Sequence, residues 1–322
     1  MALAKFEGAI GSLTPMTHGL VLIDKSAGLT SNAALQRVRR VFGRIKAGHT
    51  GTLDPLATGL LPICLGEATK FSHSLLNADK TYEAVIRLGF VSSTGDAEGA
   101  VQEAGVPDFD HEKLQEVVRA FTGPIVQVPP MHSALKKDGR PLYAYARAGI
   151  EVDRTVRNVL IKKLEIIDLK KNYLSIRVTC SKGTYIRVLA QDMGEALGCG
   201  GYLTALRRTR IADLDIAAAI GLEDLEKSGP VVAATRLLPV DLLVSAYPAL
   251  RLDSAEAKRV STGLEVRSAV EVMQQGPVRL YGPTGTFLGV GEGRSGGIVA
   301  PKRMLANPAA VPEKPANVRL TP

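Results

Sequence analysis

The chain has 322 residues, 45% of them hydrophobic and 22% charged, an ordinary globular composition that excludes a fibrous or wholly disordered protein. That length is long for one core and comfortable for two domains. The 40 Lys and Arg against 32 Asp and Glu leave a formal charge of +8, which suits a polyanionic partner, while 5% aromatics and no Trp argue against a broad base-stacking platform.

In chain order, HGLVLIDKSAG reads as a short buried strand ending in a turn. Ser31 is expected to cap a helix running to about Phe42, with Leu35, Val38, Val41 and Phe42 on one face and Arg37, Arg39 and Arg40 on the other. RIKAGHTGTLDPLATG reads as a loop, LLPICLG as a strand and EATKFSHSLLN as a helix. YEAVIRLG alternates like a half-buried strand, and a helix is expected over His111 to Phe121. Beyond a Pro-rich segment, VLIKKLEII and YLSIRVTC read as adjacent strands, and CSKGTYIRVLAQDMGEALG as a turn entering a helix.

Strands and helices do not strictly alternate, so the expected class is α+β, not a doubly wound parallel sheet. From about Tyr247 short β runs separated by Gly and Pro predict a small all-β barrel, with the boundary between Ser228 and Pro248. The Pro-rich tail from residue 306 to 322 is expected to be disordered.

Cys64, Cys180 and Cys199 are widely spaced, which suits a reducing cytoplasm, and the five histidines show no metal-ligand spacing, so no metal site is expected. The N-terminal MALAKFEGAIGSLTP has no sustained apolar segment, so neither a secretory signal nor a membrane anchor is expected.

Two features point to chemistry. Between Ser26 and Gly66, Asp54 is the only acid, while Arg37, Arg39, Arg40, Arg44 and Lys46 are cationic. A carboxylate in that field is expected to stay ionised and to serve as a nucleophile or electrostatic stabiliser; an Asp before Pro in a Gly/Thr loop is also a common turn residue or helix cap. Between Ser133 and Lys163, eight Lys and Arg, including Lys136, Lys137 and Arg140, stand against Asp138, Glu151 and Asp153. Concentrated positive charge of this kind reads as a contact surface for a phosphate backbone.

GHTGTLDPLATGLLPICLGEATK resembles the signature of the bacterial tRNA pseudouridine synthase B family. The resemblance extends in order through KTYEAVIRLG, STGDAEG, PPMHSALKKDGRPLYAYARAG, CSKGTYIRVLAQDMGEALGCGG and LRRTRIADL, and ends in a module resembling a PUA domain. It implies a catalytic domain over residues 1–240, with a mixed sheet flanked by helices and an RNA-closing insertion at about 130–160. A PUA-like RNA-binding barrel over 247–305 would follow.

The implied activity is isomerisation of uridine 55 in the tRNA T loop, after base flipping, with no cofactor or metal, no guide RNA and no obligate protein partner. Asp54 matches the family nucleophile, Tyr82 the active-site Tyr that stacks on the base, and Arg187 the Arg that pairs with the Asp. Tyr185 and Leu206 match residues lining the uracil pocket, and His49 a His that fills the space vacated by the flipped base. Asp96 matches a family acid but reads equally as a turn residue, and Lys182 with Gly183, at a helix start, is a candidate phosphate holder. Two rival readings remain at this level, an RNA-folding chaperone and a guide-RNA-dependent synthase subunit.

Overall fold

The Gly19–Lys25 strand, GLVLIDK, is buried along almost its whole length because alternate residues feed two different cores. Leu20 and Leu22 join a cluster with Leu60, Phe71, Leu243 and Phe287, while Val21 and Ile23 join another with Leu35, Val38, Leu61 and Ile63. A strand covered on both faces reads as an unbroken apolar run, as this one does. In the computed structural model, residues 18–267 and 275–308 are described. The N-terminal extension and the tail beyond 308, expected to be disordered, lie outside the described residues.

Ten strands form the main sheet. Its path runs Ile220–Gly221, Gly19–Lys25, Thr58–Leu65, Gly201–Ile211, Lys80–Leu88, Tyr173–Cys180, Arg157–Lys170 and Gly123–Gln127, and Ala47–His49 pairs beside Thr58–Leu65. Most pairs are antiparallel, but Gly201–Ile211 runs parallel to Thr58–Leu65, so the sheet is mixed. The helix Ile186–Ala196 packs through Leu189, Ala190 and Met193 against Ile86, Leu174 and Ile176 of that sheet, and helix Ser31–Val41 covers the Gly19–Lys25 end. The α+β expectation holds.

A second, five-stranded sheet follows in the order Ala249–Arg251, Gly276–Tyr281, Phe287–Gly293, Ile298–Met304, Val266–Arg267, curling into a half-barrel. It docks on the segment that follows strand Thr58–Leu65 through Phe287, which meets Phe71 edge-on at 5.7 Å and, within its own sheet, lies 5.5 Å from Tyr281. The Tyr281 hydroxyl donates to Asp241 at 2.8 Å.

Three local expectations are corrected. The cap of helix Ser31–Val41 is Thr30, whose hydroxyl accepts from the Ala33 amide; Ser31 is the first helical residue and turns inward. EATKFSHSLLN forms two short pieces, a 3-10 turn Gly66–Phe71 and a helix Ser72–Leu76. The start of the Gly/Thr loop, Ala47–His49, is a strand, because its backbone finds partners on Cys64 and its neighbours.

Candidate active site

Asp54 lies on the loop between Ala47–His49 and Thr58–Leu65, at the rim of a cleft of about 340 Å³. The cleft is lined by Asp54, Tyr82, Tyr185, Arg187 and Leu206, five residues brought together from separate parts of the sequence, with Lys80 and Arg208 beside them. Tyr82 comes from strand Lys80–Leu88, Leu206 from its neighbour Gly201–Ile211, and Tyr185 and Arg187 from the start of helix Ile186–Ala196. The sheet pairs Leu206 with Ala84 and Arg208 with Tyr82, so register alone sets Tyr82, Leu206 and Arg208 side by side.

Arg187 is the electrostatic centre. Its side chain is 6% exposed, and its Nη2 lies 3.0 Å from Asp54 Oδ2 while its Nε lies 3.4 Å from Asp96 Oδ2. Nη1 donates to the Thr94 carbonyl at 3.0 Å and Nη2 to the His132 carbonyl at 2.7 Å. A guanidinium buried this deeply is tolerable only with its charge and N–H groups satisfied, and here two carboxylates and two carbonyls do so. Asp54 is 42% exposed on its side chain and faces the cleft; Asp96 is 3% exposed and braces Arg187 from behind. Asp96 also accepts from the Thr94 hydroxyl at 2.6 Å and the Glu98 amide at 3.1 Å, so it is both a turn residue and an ion-pair partner.

The cations near Asp54 in sequence are not the ones that face it. Arg37 pairs with Glu226 of helix Leu222–Ala234, and Arg39 donates to the Ile45 and Arg44 carbonyls at the end of its own helix. Arg187 pairs with Asp54, and Lys25 and Glu98 interact with it electrostatically, the first attracting and the second repelling. Burial pulls Lys25 down to about 8, with Asp54 opposing that shift.

The loop carrying Asp54 is pinned peptide by peptide. The Ser31 hydroxyl accepts from the Leu53 amide at 2.8 Å, and its oxygen lies 3.0 Å from the Leu53 carbonyl. Arg208, 1% exposed, donates to the carbonyls of Gly51, Thr52 and Leu60. Pro55 offers its carbonyl to the Gly28 amide at 2.8 Å and to Lys25 Nζ at 3.4 Å. A reactive group must be held in a fixed geometry, and this network fixes the backbone on either side of Asp54.

Sequence reasoning had not singled out Arg208 or Lys25. Each is a long cation at the inward position of a buried strand, which is an unfavourable placement unless the charge has work to do or partners to meet. Gln127 is buried likewise.

Tyr82 packs among Leu206 and the apolar residues of both cores. Burial raises its phenol above the ordinary value while the neighbouring Arg208 pulls the other way. The group is thus a neutral phenol at neutral pH, suited to stacking and hydrogen bonding. Burial likewise raises Tyr185.

The remaining expected residues lie around this centre. His49 stands outside the cleft lining, on the strand paired with Ile63; burial and Arg208 lower it, favouring the neutral imidazole, and its Nδ1 is buried without a partner among the described residues. Lys136 and Lys137 pair with Arg140–Pro141 in a tight hairpin whose turn is Asp138–Gly139, followed by helix Leu142–Ala146. Lys137 Nζ donates to the Asp153 carbonyl at 3.0 Å, and the Arg140 guanidinium lies 4.8 Å from the Tyr145 ring centroid. With Arg154 and Arg157, Lys136 and Lys137 line a second cleft that shares Leu135 with the first. Gly183 lines the main cleft, and Lys182 Nζ donates to the Asn77 side chain at 2.8 Å.

Residues 39–186 match the model described as TruB family pseudouridylate synthase (N terminal domain). Residues 187–245 match tRNA pseudouridylate synthase B C-terminal domain, and 248–305 match Pseudouridine synthase II TruB, C-terminal. A chain from a Cbf5-Nop10-Gar1 complex superposes with TM-score 0.70 at 25% identity, covering 88% of this chain and 84% of that one. The fold is that of a pseudouridine synthase.

The chain belongs, within that class, to the tRNA pseudouridine synthase B family. It is 54% identical to the tRNA pseudouridine synthase B of Azoarcus sp. (strain BH72), over 90% of this chain and 96% of that protein. It is 50% identical to that of Dechloromonas aromatica (strain RCB), over 89% and 95%.

Proposed function

We propose that this chain converts uridine 55 in the T loop of tRNA to pseudouridine, with Asp54 as the nucleophile. The observation carrying this reading is the 3.0 Å pair between Asp54 and buried Arg187, at the rim of a cleft that also holds Tyr82. The curated relatives bear the name of a tRNA-modifying enzyme across nearly their whole length, which supports tRNA as substrate.

The base is flipped out of the T loop into the cleft, at a cost of a few kcal/mol that stacking on Tyr82 and Tyr185 offsets in part. Asp54 then attacks either the ribose anomeric carbon or C6 of the ring. In both routes the bond from C1′ to N1 breaks, and the ring turns and forms a new bond from C5 to C1′. The carboxylate is released, C5 gives up its proton and N1 takes one up, so the net change is an isomerisation. Arg187 holds the carboxylate in place. His49 takes the position left by the base, and Lys136, Lys137 and Arg140 meet the RNA backbone. The PUA-like module over 247–305 extends the RNA contact, and the setting is the cytoplasm; among the described residues no helix is long and apolar enough to cross a membrane.

The test is purified protein with an unmodified tRNA transcript and nothing else. Pseudouridine at position 55 supports stand-alone action; turnover that needs added guide RNA and proteins would favour a guided subunit. Asp54→Asn should abolish product while RNA binding persists. Product formed by that variant would remove Asp54 from the mechanism.

A further inference from the structure

The edge strand Gly123–Gln127 ends where the basic insertion begins, and its last residue is cross-strand partner to Arg157, where the insertion returns to the sheet. Gln127 thus sits at the neck of the insertion. It is 2% exposed, and its side chain does not serve the sheet. The side-chain oxygen accepts from the Tyr185 amide at 3.0 Å, and the side-chain nitrogen donates to the Tyr185 carbonyl at 3.2 Å. One amide therefore satisfies both backbone groups of a single residue, as a strand neighbour would.

The Tyr185 carbonyl also accepts from the Leu189 amide at 3.1 Å, the first bond of the helix that follows. Tyr185 occupies the cap position of helix Ile186–Ala196, in extended conformation, and no side chain caps that helix end. Its ring lines the main cleft, and two residues later comes Arg187. The insertion also reaches Arg187 directly, through the His132 carbonyl at 2.7 Å.

We infer that Gln127 is a positioning residue of the reaction: through both backbone groups of Tyr185 it fixes where the Tyr185 ring stands in the main cleft. The inference rests on the pseudouridine synthase reading above. Gln127 touches no substrate in this scheme and acts through Tyr185.

The test is single-turnover pseudouridine formation on a tRNA transcript, with tRNA affinity measured alongside. Gln127→Leu removes both hydrogen bonds at similar volume. The rate should fall about 10- to 100-fold while the dissociation constant stays within about twofold, the loss expected for a catalytic side chain misplaced by about an ångström. In a Tyr185→Leu background, Gln127→Leu should add little further loss, because Gln127 has no ring left to place.

Gln127→Glu keeps the acceptor and loses the donor, and should show a smaller loss of the same kind. It decides the matter if the Leu variant fails to bind tRNA. A wild-type rate in the Leu variant overturns the inference, as does full multiplication of the two losses in the double variant. A wild-type rate in Gln127→Glu where the Leu variant does not bind tRNA also overturns it. Wild-type protein forming no pseudouridine would instead overturn the functional reading on which the inference stands.

Discussion

Gly59 and Arg208 are in backbone contact: a Cβ placed on Gly59 would lie 2.8 Å from the Arg208 amide nitrogen and closer still to its carbonyl oxygen. The two residues are paired in the parallel stretch where Thr58–Leu65 meets Gly201–Ile211. This approach brings the Arg208 guanidinium under the Asp54 loop, where it holds the Gly51 and Thr52 carbonyls.

Gly59→Ala should therefore cost stability twice, through a backbone at φ +99° that L-residues avoid and through the clash with Arg208. The expected loss is about 3 kcal/mol, read from urea unfolding. Stability within about 0.5 kcal/mol of wild type would show that the strands part without penalty.

Asp96→Asn keeps the shape of the turn but removes the buried charge behind Arg187. Arg187 then has Asp54 as its one remaining carboxylate partner among the described residues, and its orientation toward the cleft weakens. Single-turnover pseudouridine formation should drop about 10- to 100-fold, the usual scale for supporting partners of a site, with tRNA affinity nearly unchanged. An unaltered rate would reduce Asp96 to a turn residue.

Replacing Lys136 and Lys137 together by Ala should weaken tRNA binding and flatten the dependence of log affinity on log salt by about 1 to 2 units of slope. Lys137 also ties the hairpin to the Asp153 carbonyl, so part of the loss comes from a looser insertion. A slope equal to that of wild type would mean that the hairpin meets no phosphate.

Lys80 gives a pH prediction. Its ammonium is buried and donates to the carbonyls of Leu75, Leu76 and Ala78, and burial lowers it from the ordinary 10.5 to about 8. Between those two values the unfolded chain binds the proton more than the folded one does, so folding stability from this group rises with pH across that window. Wild type should gain about 3 kcal/mol relative to Lys80→Met between pH 8 and 10.5, measured by denaturant unfolding at each pH. A flat difference would mean that Lys80 titrates as it does in the unfolded chain.

Much of this protein is legible in its sequence because short-range rules decide it. The apolar run of Gly19–Lys25, the alternation of Lys80–Leu88 and the helix beginning near Tyr185 follow from local burial patterns, and the motif around Asp54 marks the family together with the blocks that follow it in order. The basic stretch after Ser133 is likewise visible as charge density alone. Tertiary structure decided which charge meets which. Arg37 and Arg39, cations near Asp54 in sequence, turn to Glu226 and to backbone carbonyls, while Arg187, the partner that the family resemblance implies and no local pattern marks, arrives from 133 residues away. The inward-facing roles of Lys25, Gln127 and Arg208 were equally hidden, since a long polar side chain is assigned to solvent until the fold supplies buried carbonyls for it. Electrostatic contacts depend on distances in space, and strand register between remote segments fixes those distances.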